Sequence, residues 1–314
     1  MGKALPTGAR RHWHSMDATP SKVDAGGFGV LGAVCRTPER YDPSILFPVP
    51  RDRGRMPLGL AGAPPPFEGE DVWNAYELSW LSRNGVPRRH VLEMRMPCDS
   101  PNIVESKSLK LYLNSLNHKR FESADQLLVT IRSDLKTVLG GWWMGVDIAL
   151  HEHDHPGSVC ARVPPLSSFE CIDATLDDEE LDADVLDTPD ASHVRLAMGA
   201  AEEEPVRERL VTHQLRTLCP VAHQPDWGSV YIEYEGPRLD RGSILKFVVS
   251  LRKAVSLHEA TIERIWLALR EGGQPTELRV TGRFMRRGGI DINPTRELRK
   301  PVTTTPAPFQ RSSD

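Results

Sequence analysis

Within LRTLCPVAHQPDWGSVYIEY, residues 215–234, one thiol and one carboxylate stand seven positions apart, Cys219 and Asp226. A thiolate adds to electrophilic carbon, and a nearby carboxyl can carry the proton that the addition needs. Pro220 and Pro225 stiffen the loop between them, which helps hold two reacting groups together. His213, Arg216 and His223 are close in sequence and would favour the thiolate. Plainer readings stand beside these. A lone cysteine most often packs as a small hydrophobe. Asp226, in Asp-Trp-Gly, also suits a turn, and the sequence leaves that choice open.

A second pair is His258-Glu259, in a stretch where Leu257, Thr261, Ile265 and Leu269 recur every four residues. Glu259 shares a partly buried face with Ile262 and Trp266. A carboxylate there needs a donor. A ligand with two adjacent N–H groups, such as a guanine-like edge, is one; an internal Lys or Arg is the other. Two further motifs carry less. Gly27-Phe28-Gly29-Val30-Leu31-Gly32 fits GxGxxG, but no strand precedes it and Pro38 breaks any helix after it. His151, His153 and His155 alternate as metal ligands can, yet no cysteine pair or fourth ligand stands near. They read as a polar strand end running into Pro156-Gly157.

The elements that must position these groups are legible in part. With 314 residues the chain has room for about two domains. A net charge of −4 gives no polycationic surface for a phosphate backbone, so direct nucleic-acid binding is not expected. Five widely spaced cysteines without a CxxC pair argue against a disulfide framework and suit a reducing compartment. No secretory h-region or run of ~18 apolar residues is present, so a cytoplasmic protein without a membrane span is expected. Residues 71–81 have helical or mixed spacing, HVLEMRMP alternates as a strand, and two helices follow, the second capped by Ser123. GWWMGVDIALHEHD reads as a strand. Residues 171–205 are acidic and read as a solvated linker. Then VRERLVTHQLRTL reads as helical, GSVYIEYEG as a strand, RGSILKFVVSLRKAV and SLHEATIERIWLALREGG as helices with Gly272 as a stop, and TELRVTGRFMRR as a strand, with GGIDINPTRE turning out of it. Both halves thus run strand, helix, helix, strand. Ser108-Leu109-Lys110 and Ser243-Ile244-Leu245-Lys246 echo each other, which points to a duplicated α+β module.

Glu105-Ser106-Lys107-Ser108-Leu109-Lys110-Leu111-Tyr112 resembles the signature of the NADPH-dependent nitrile reductases of queuosine biosynthesis, the 7-cyano-7-deazaguanine reductases. The resemblance extends through DVWNAYELSW (71–80), Asp99-Ser100-Pro101-Asn102, Gln224 to Ser229, His258-Glu259 and Arg287 to Pro294, and so covers about 25–297. It implies tandem tunnelling-fold modules, antiparallel sheets backed by helices that join edge to edge into barrels, and a homodimer. The implied layout is a leader at 1–24, a first module at 25–170 with the signature, the linker at 171–205, a second module at 206–300 with the cysteine, and a tail at 301–314.

What the resemblance implies for chemistry is a covalent thioimide at Cys219, with Asp226 as proton donor and His258 assisting. Glu259 and Glu105, with His258, would hold the deazaguanine base. Lys107, Lys110, Arg286 and Arg287 would serve NADPH phosphates, with Ser106 and Ser108 as donors and Gly288 at the turn. Thr217-Leu218 and Ala222 depart from the usual residues around the cysteine. Two rivals stand: a metal-dependent, cyclohydrolase-like enzyme of the same fold group, and a non-catalytic deazapurine-binding module.

Overall fold

The computed structural model describes residues 38–141, 145–152, 168–177, 181, 185–186, 196–199, 204–220 and 222–298. Each half is built on a long antiparallel hairpin. In the first half an arm strand, β1 (Pro48–Pro50), precedes the hairpin of β2 (Phe67–Ser82) and β3 (Pro87–Pro97). Then come β4 (Asn102–Val104), α1 (Ser106–Ser115), β5 (Arg120–Phe121), α2 (Ala124–Leu139) and β6 (Asp147–His151). The second half begins with the short β7 (Glu170–Cys171) and the hairpin of β8 (Val206–Leu218) and β9 (Pro225–Gly236). It continues with α3 (Arg241–Ser250), α4 (His258–Gly273), β10 (Glu277–Phe284) and β11 (Ile290–Leu298). Among the described residues the main sheet runs in the order β6-β3-β2-β11-β10-β9-β8-β7, with β5 beside β2, and β1 pairs with β4 in a separate two-stranded sheet. The fold is α+β, a largely antiparallel sheet backed by helices.

The halves join edge to edge where β11 pairs antiparallel with β2, from Ile290 opposite Ala75 to Leu298 opposite Phe67. The pairing is close enough that a Cβ at Gly69 would overlap the Thr295 carbonyl. Each half has its own apolar core, and the cores interlock at this seam. Ile290 and Ile292 of β11 pack with the first half, Phe67 and Cys98 with the second.

The echo between halves is written in the capping chemistry. Glu105 and Asp240 each cap the first helix of their half, accepting the N–H of Ser108 and Ser243 respectively. Ser108 and Ser243 each return a hydroxyl bond to the carbonyl of that cap residue, at 2.7 and 2.8 Å. Ser123 caps α2 as its sequence indicates, through the Gln126 N–H.

Five elements differ from the sequence reading. β2 and β8 are strands throughout; bulges between Ala75 and Leu78 and between Thr212 and Leu215 shift their phase, so the apolar spacing imitates a helix. GGIDINPTRE is mostly strand β11 rather than a turn. Pro294 sits within it at the loss of one ladder donor. α4 runs past Gly272 to Gly273 and stops at Gln274, which takes the left-handed conformation. The acidic stretch begins inside the second half: Cys171 pairs with β8, and Ile172 and Leu176 are buried in its core. The GxGxxG residues, His153, His155, Cys35 and Cys160 lie outside the described residues. No helix among those described is long and apolar enough to cross a membrane.

Charged side chains lock the seam from within. Arg296 of β11, fully buried, reaches Asp71 of β2 at 2.8 Å and Glu263 of α4 at 2.9 Å. Arg51 completes Asp71 at 2.6 Å, and Arg55 completes Glu263 at 2.7 Å. Breaking a buried pair strands a charge in a medium that solvates it poorly. Arg296→Met is expected to destabilise the protein by about 3 kcal/mol, the lower end for such a loss, since Arg51 and Arg55 remain. Chemical denaturation checks it.

Candidate active site

The seam positions a cleft on its helix-facing side, enclosing about 490 Å³ including its open mouth. Trp73 and Ile292, opposite each other across β2 and β11, line its base. The first turns of α1 and α4 reach it from the two halves, with Glu105 and Ser106 on one side and His258 and Glu259 on the other. α4 starts without a side-chain cap, so the positive end of its dipole favours negative charge in the cleft.

Cys219 is the first residue of the loop joining β8 to β9, and it is buried. Its N–H donates to the Gln224 carbonyl at 2.9 Å, and its carbonyl accepts from the His223 N–H at 3.0 Å. The preceding Leu218 is pinned to the approach of α4: its N–H donates to the Ala254 carbonyl at 2.8 Å, and its carbonyl accepts from Ser256 at 3.0 Å. These bonds hold the thiol against the start of α4. Asp226 lies near the start of β9, opposite Thr217, and points into the same cleft. Its Oδ2 is 3.4 Å from His258 Nε2, and its Oδ1 is 3.0 Å from Arg287. The His258 ring stacks on Phe284 with centroids 4.0 Å apart, which fixes its plane. Thiol, carboxylate and imidazole therefore share one wall.

Glu259 is 5% exposed, and its Oε1 has no hydrogen-bond partner. Burial raises its carboxyl pKa, helped by the negative charge of Asp71 and opposed by His258 and Arg51. The internal-cation reading is thus not realised as a direct bond; the arginines stop at Asp71 and Glu263. Glu105 differs. Its two oxygens accept the N–H groups of Lys107 and Ser108, both at 2.7 Å. Burial raises its pKa, and those N–H groups oppose the rise.

The remaining expected residues divide. Ser106 lines the cleft. Ser108 turns inward: its hydroxyl donates to the Glu105 carbonyl and accepts from the Phe47 N–H at 3.0 Å, so it builds the loop rather than facing a ligand. Lys107 is the second residue of α1, next to Ser106, and half-buried. Lys110 ion-pairs with Glu77, and Arg286 sits over the Tyr76 ring at 5.3 Å. The β10–β11 turn docks on that rim, since the Tyr76 N–H donates to the Gly289 carbonyl at 2.9 Å. Gly288 and Gly289 take φ of 60° and 78° there, the left-handed region that favours glycine. Arg287 reaches inward to Asp226 instead, a partnership that nothing in the sequence signals. The basic neighbours of Cys219 do not join it. His213 bonds Ser229 at 2.8 Å, Arg216 donates to the Arg252 carbonyl, and His223 is exposed. Of the histidine run, His151 lies 3.5 Å from Glu93.

Such a fold and cleft define an α+β protein whose two halves bring a thiol, a carboxylate, an imidazole and a buried carboxyl with one unpartnered oxygen to a single cleft. Residues 37–147 match the family described as nitrile reductase, 7-cyano-7-deazaguanine-reductase N-term, and residues 225–303 match QueF-like protein. The NADPH-dependent 7-cyano-7-deazaguanine reductase of Chromohalobacter salexigens is 42% identical over 267 residues, 85% of this chain and 90% of that one. That of Burkholderia vietnamiensis is 43% identical over 267 residues, 85% and 92% of the two chains. A solved structure, the archaeosine synthase QueF-Like in the apo form, aligns at a TM-score of 0.27 and 22% identity over 31% of this chain and 94% of its own, too distant to say more. The chain belongs to the NADPH-dependent 7-cyano-7-deazaguanine reductase family.

The raised carboxyl of Glu259 has a thermodynamic consequence. The native state holds that proton more tightly than the unfolded state, so stability falls as pH rises from the ordinary value of 4.5 through the raised one. Glu259→Gln is therefore expected to raise the melting temperature of the ligand-free protein at neutral pH. The gain should vanish below pH 4.5, and calorimetric melts across pH check it.

Proposed function

We propose that this chain reduces the nitrile of 7-cyano-7-deazaguanine to the aminomethyl group with NADPH, in the biosynthesis of queuosine, a modified tRNA nucleoside. The observation that carries the reading is the convergence of Cys219, Asp226, His258 and Glu259 on one cleft. A nitrile carbon is electrophilic but sluggish. The Cys219 thiol gives its proton to the Asp226 carboxylate, and its sulfur adds to the carbon, forming a C–S bond while one π pair of the C≡N bond moves to nitrogen, giving a thioimide. Asp226 delivers that proton to the nitrogen, and His258, whose Nε2 is 3.4 Å from the carboxyl, relays protons or orients it. Glu259 accepts the ring N–H and the exocyclic amine, which satisfies its buried oxygen. Burial of Cys219 keeps water from the thioimide carbon.

The residues present fit NADPH. Lys110 and Arg286 gather around Tyr76 and Glu77 beside the glycine turn, with Lys107 and Ser106 at the start of α1, so cations and donors for phosphates flank the cleft. When bound, NADPH supplies the hydrides that take the carbon to the amine, two for each nitrile. A homodimer belongs to the same reading: β6 and β7 end the sheet among the described residues, where a second copy can continue it. So does a cytoplasmic location, which suits widely spaced free thiols.

With the nitrile limiting, two NADPH are expected to be consumed per nitrile; none consumed by folded protein would sink the reading. Cys219→Ala is expected to abolish turnover and spare reversible binding. Asp226→Asn should still form some adduct, seen by intact mass, while turnover falls on the order of 10²–10⁴-fold.

A further inference from the structure

Two residues that line the cleft each bury a polar atom without a partner, Trp73 its Nε1 on the first half and Glu259 its Oε1 on the second. A native interior leaves few such groups, and each calls for an explanation. Trp73 is 1% exposed, so bulk water does not serve its N–H. The indole nitrogen can only donate, and the ionised carboxylate can only accept. The two do not bond each other, although both residues line the same cleft. A ligand that satisfies both must offer N–H donors to one side and an acceptor to the other.

We propose that Trp73 determines specificity, its indole N–H donating to the ring carbonyl of the bound heterocycle while Glu259 takes the neighbouring N–H edge. The inference rests on the function proposed above and extends it. A lactam presents N–H and C=O side by side, which is the pairing these two atoms require. Trp73 sits on the same face of β2 as Asp71, and Ile292 lies opposite it. The seam thus fixes the indole, so it can discriminate rather than follow the ligand. An amino group in place of the carbonyl would face the indole donor with another donor, leaving both unsatisfied.

The test is calorimetric binding to the full-length chain carrying Cys219→Ala, which blocks adduct formation. The probes are 7-cyano-7-deazaguanine and its thiocarbonyl analogue. The analogue keeps the N–H edge for Glu259 and weakens the acceptor. With Trp73 intact, the oxo compound should bind more tightly than the thio compound. Adding Trp73→Phe should weaken oxo binding roughly 5- to 150-fold, the cost of stranding one buried hydrogen-bonding group. It should also collapse the preference between the two, since the effects are coupled. Should Trp73→Phe fail to fold, 3-benzothienylalanine at that position puts sulfur where the indole has N–H and keeps its shape. Unchanged oxo binding, or an equal loss for both compounds, overturns the assignment and leaves the function standing. Absence of binding by the protein with Trp73 intact overturns the function and this assignment with it.

Discussion

The ion pairs of Arg296 are the interaction on which the rest of the molecule depends. This guanidinium is fully buried and contacts a carboxylate from each side, Asp71 on β2 and Glu263 on α4. An uncompensated charge in that position is far costlier than a lost surface pair, so its geometry has little freedom. A slip of one residue between β2 and β11 would turn Arg296 to the opposite face. The network therefore sets the register that places Ile292 opposite Trp73, and it draws in the arm that carries Arg51 and Arg55. Through Glu263 it also fixes α4, whose first turn carries His258 and Glu259.

The cleft is a property of the seam rather than of either half. Both halves repeat the same hairpin, helix pair and acid-serine cap, yet they contribute different groups. The second half supplies the thiol from its hairpin loop and the carboxylates and imidazole around it. The corresponding hairpin of the first half turns tightly through Gly85, where the Gly85 N–H donates to the Ser82 carbonyl, and it carries no cysteine. The first half instead brings the signature helix and the Trp73 floor. Duplication followed by division of roles accounts for a site that needs an element from each copy.

Unpartnered buried donors occur in the cores as well, at Trp80 and Trp266, but the cleft adds a buried carboxyl oxygen without a partner, on Glu259. Glu259 is held where its charge is disfavoured, close to the negative charge of Asp71. A site arranged in this way gives up stability when empty and regains it when a complementary ligand arrives. That is the physical sense in which the cleft is built for a ligand and the charged seam beneath it is built for stability.

Residue chemistry and local spacing by themselves determined the Cys219–Asp226 loop, the His258-Glu259 pair, the cap at Ser123, and the duplicated α+β plan. Those features depend on side-chain type, on neighbours within one turn, and on a motif read as a string. Tertiary structure alone decided which of these groups meet. It turned Ser108 inward, sent Arg287 to Asp226, left His213, Arg216 and His223 away from the thiol, and made a central strand of a Gly- and Pro-bearing segment that reads as a turn. It also brought Trp73, whose indole N–H lacks a partner, and Glu259, whose Oε1 lacks one, to the same cleft. Each of these outcomes follows from strand register and from which face of an element is covered, and both are fixed by contacts between segments far apart in the chain.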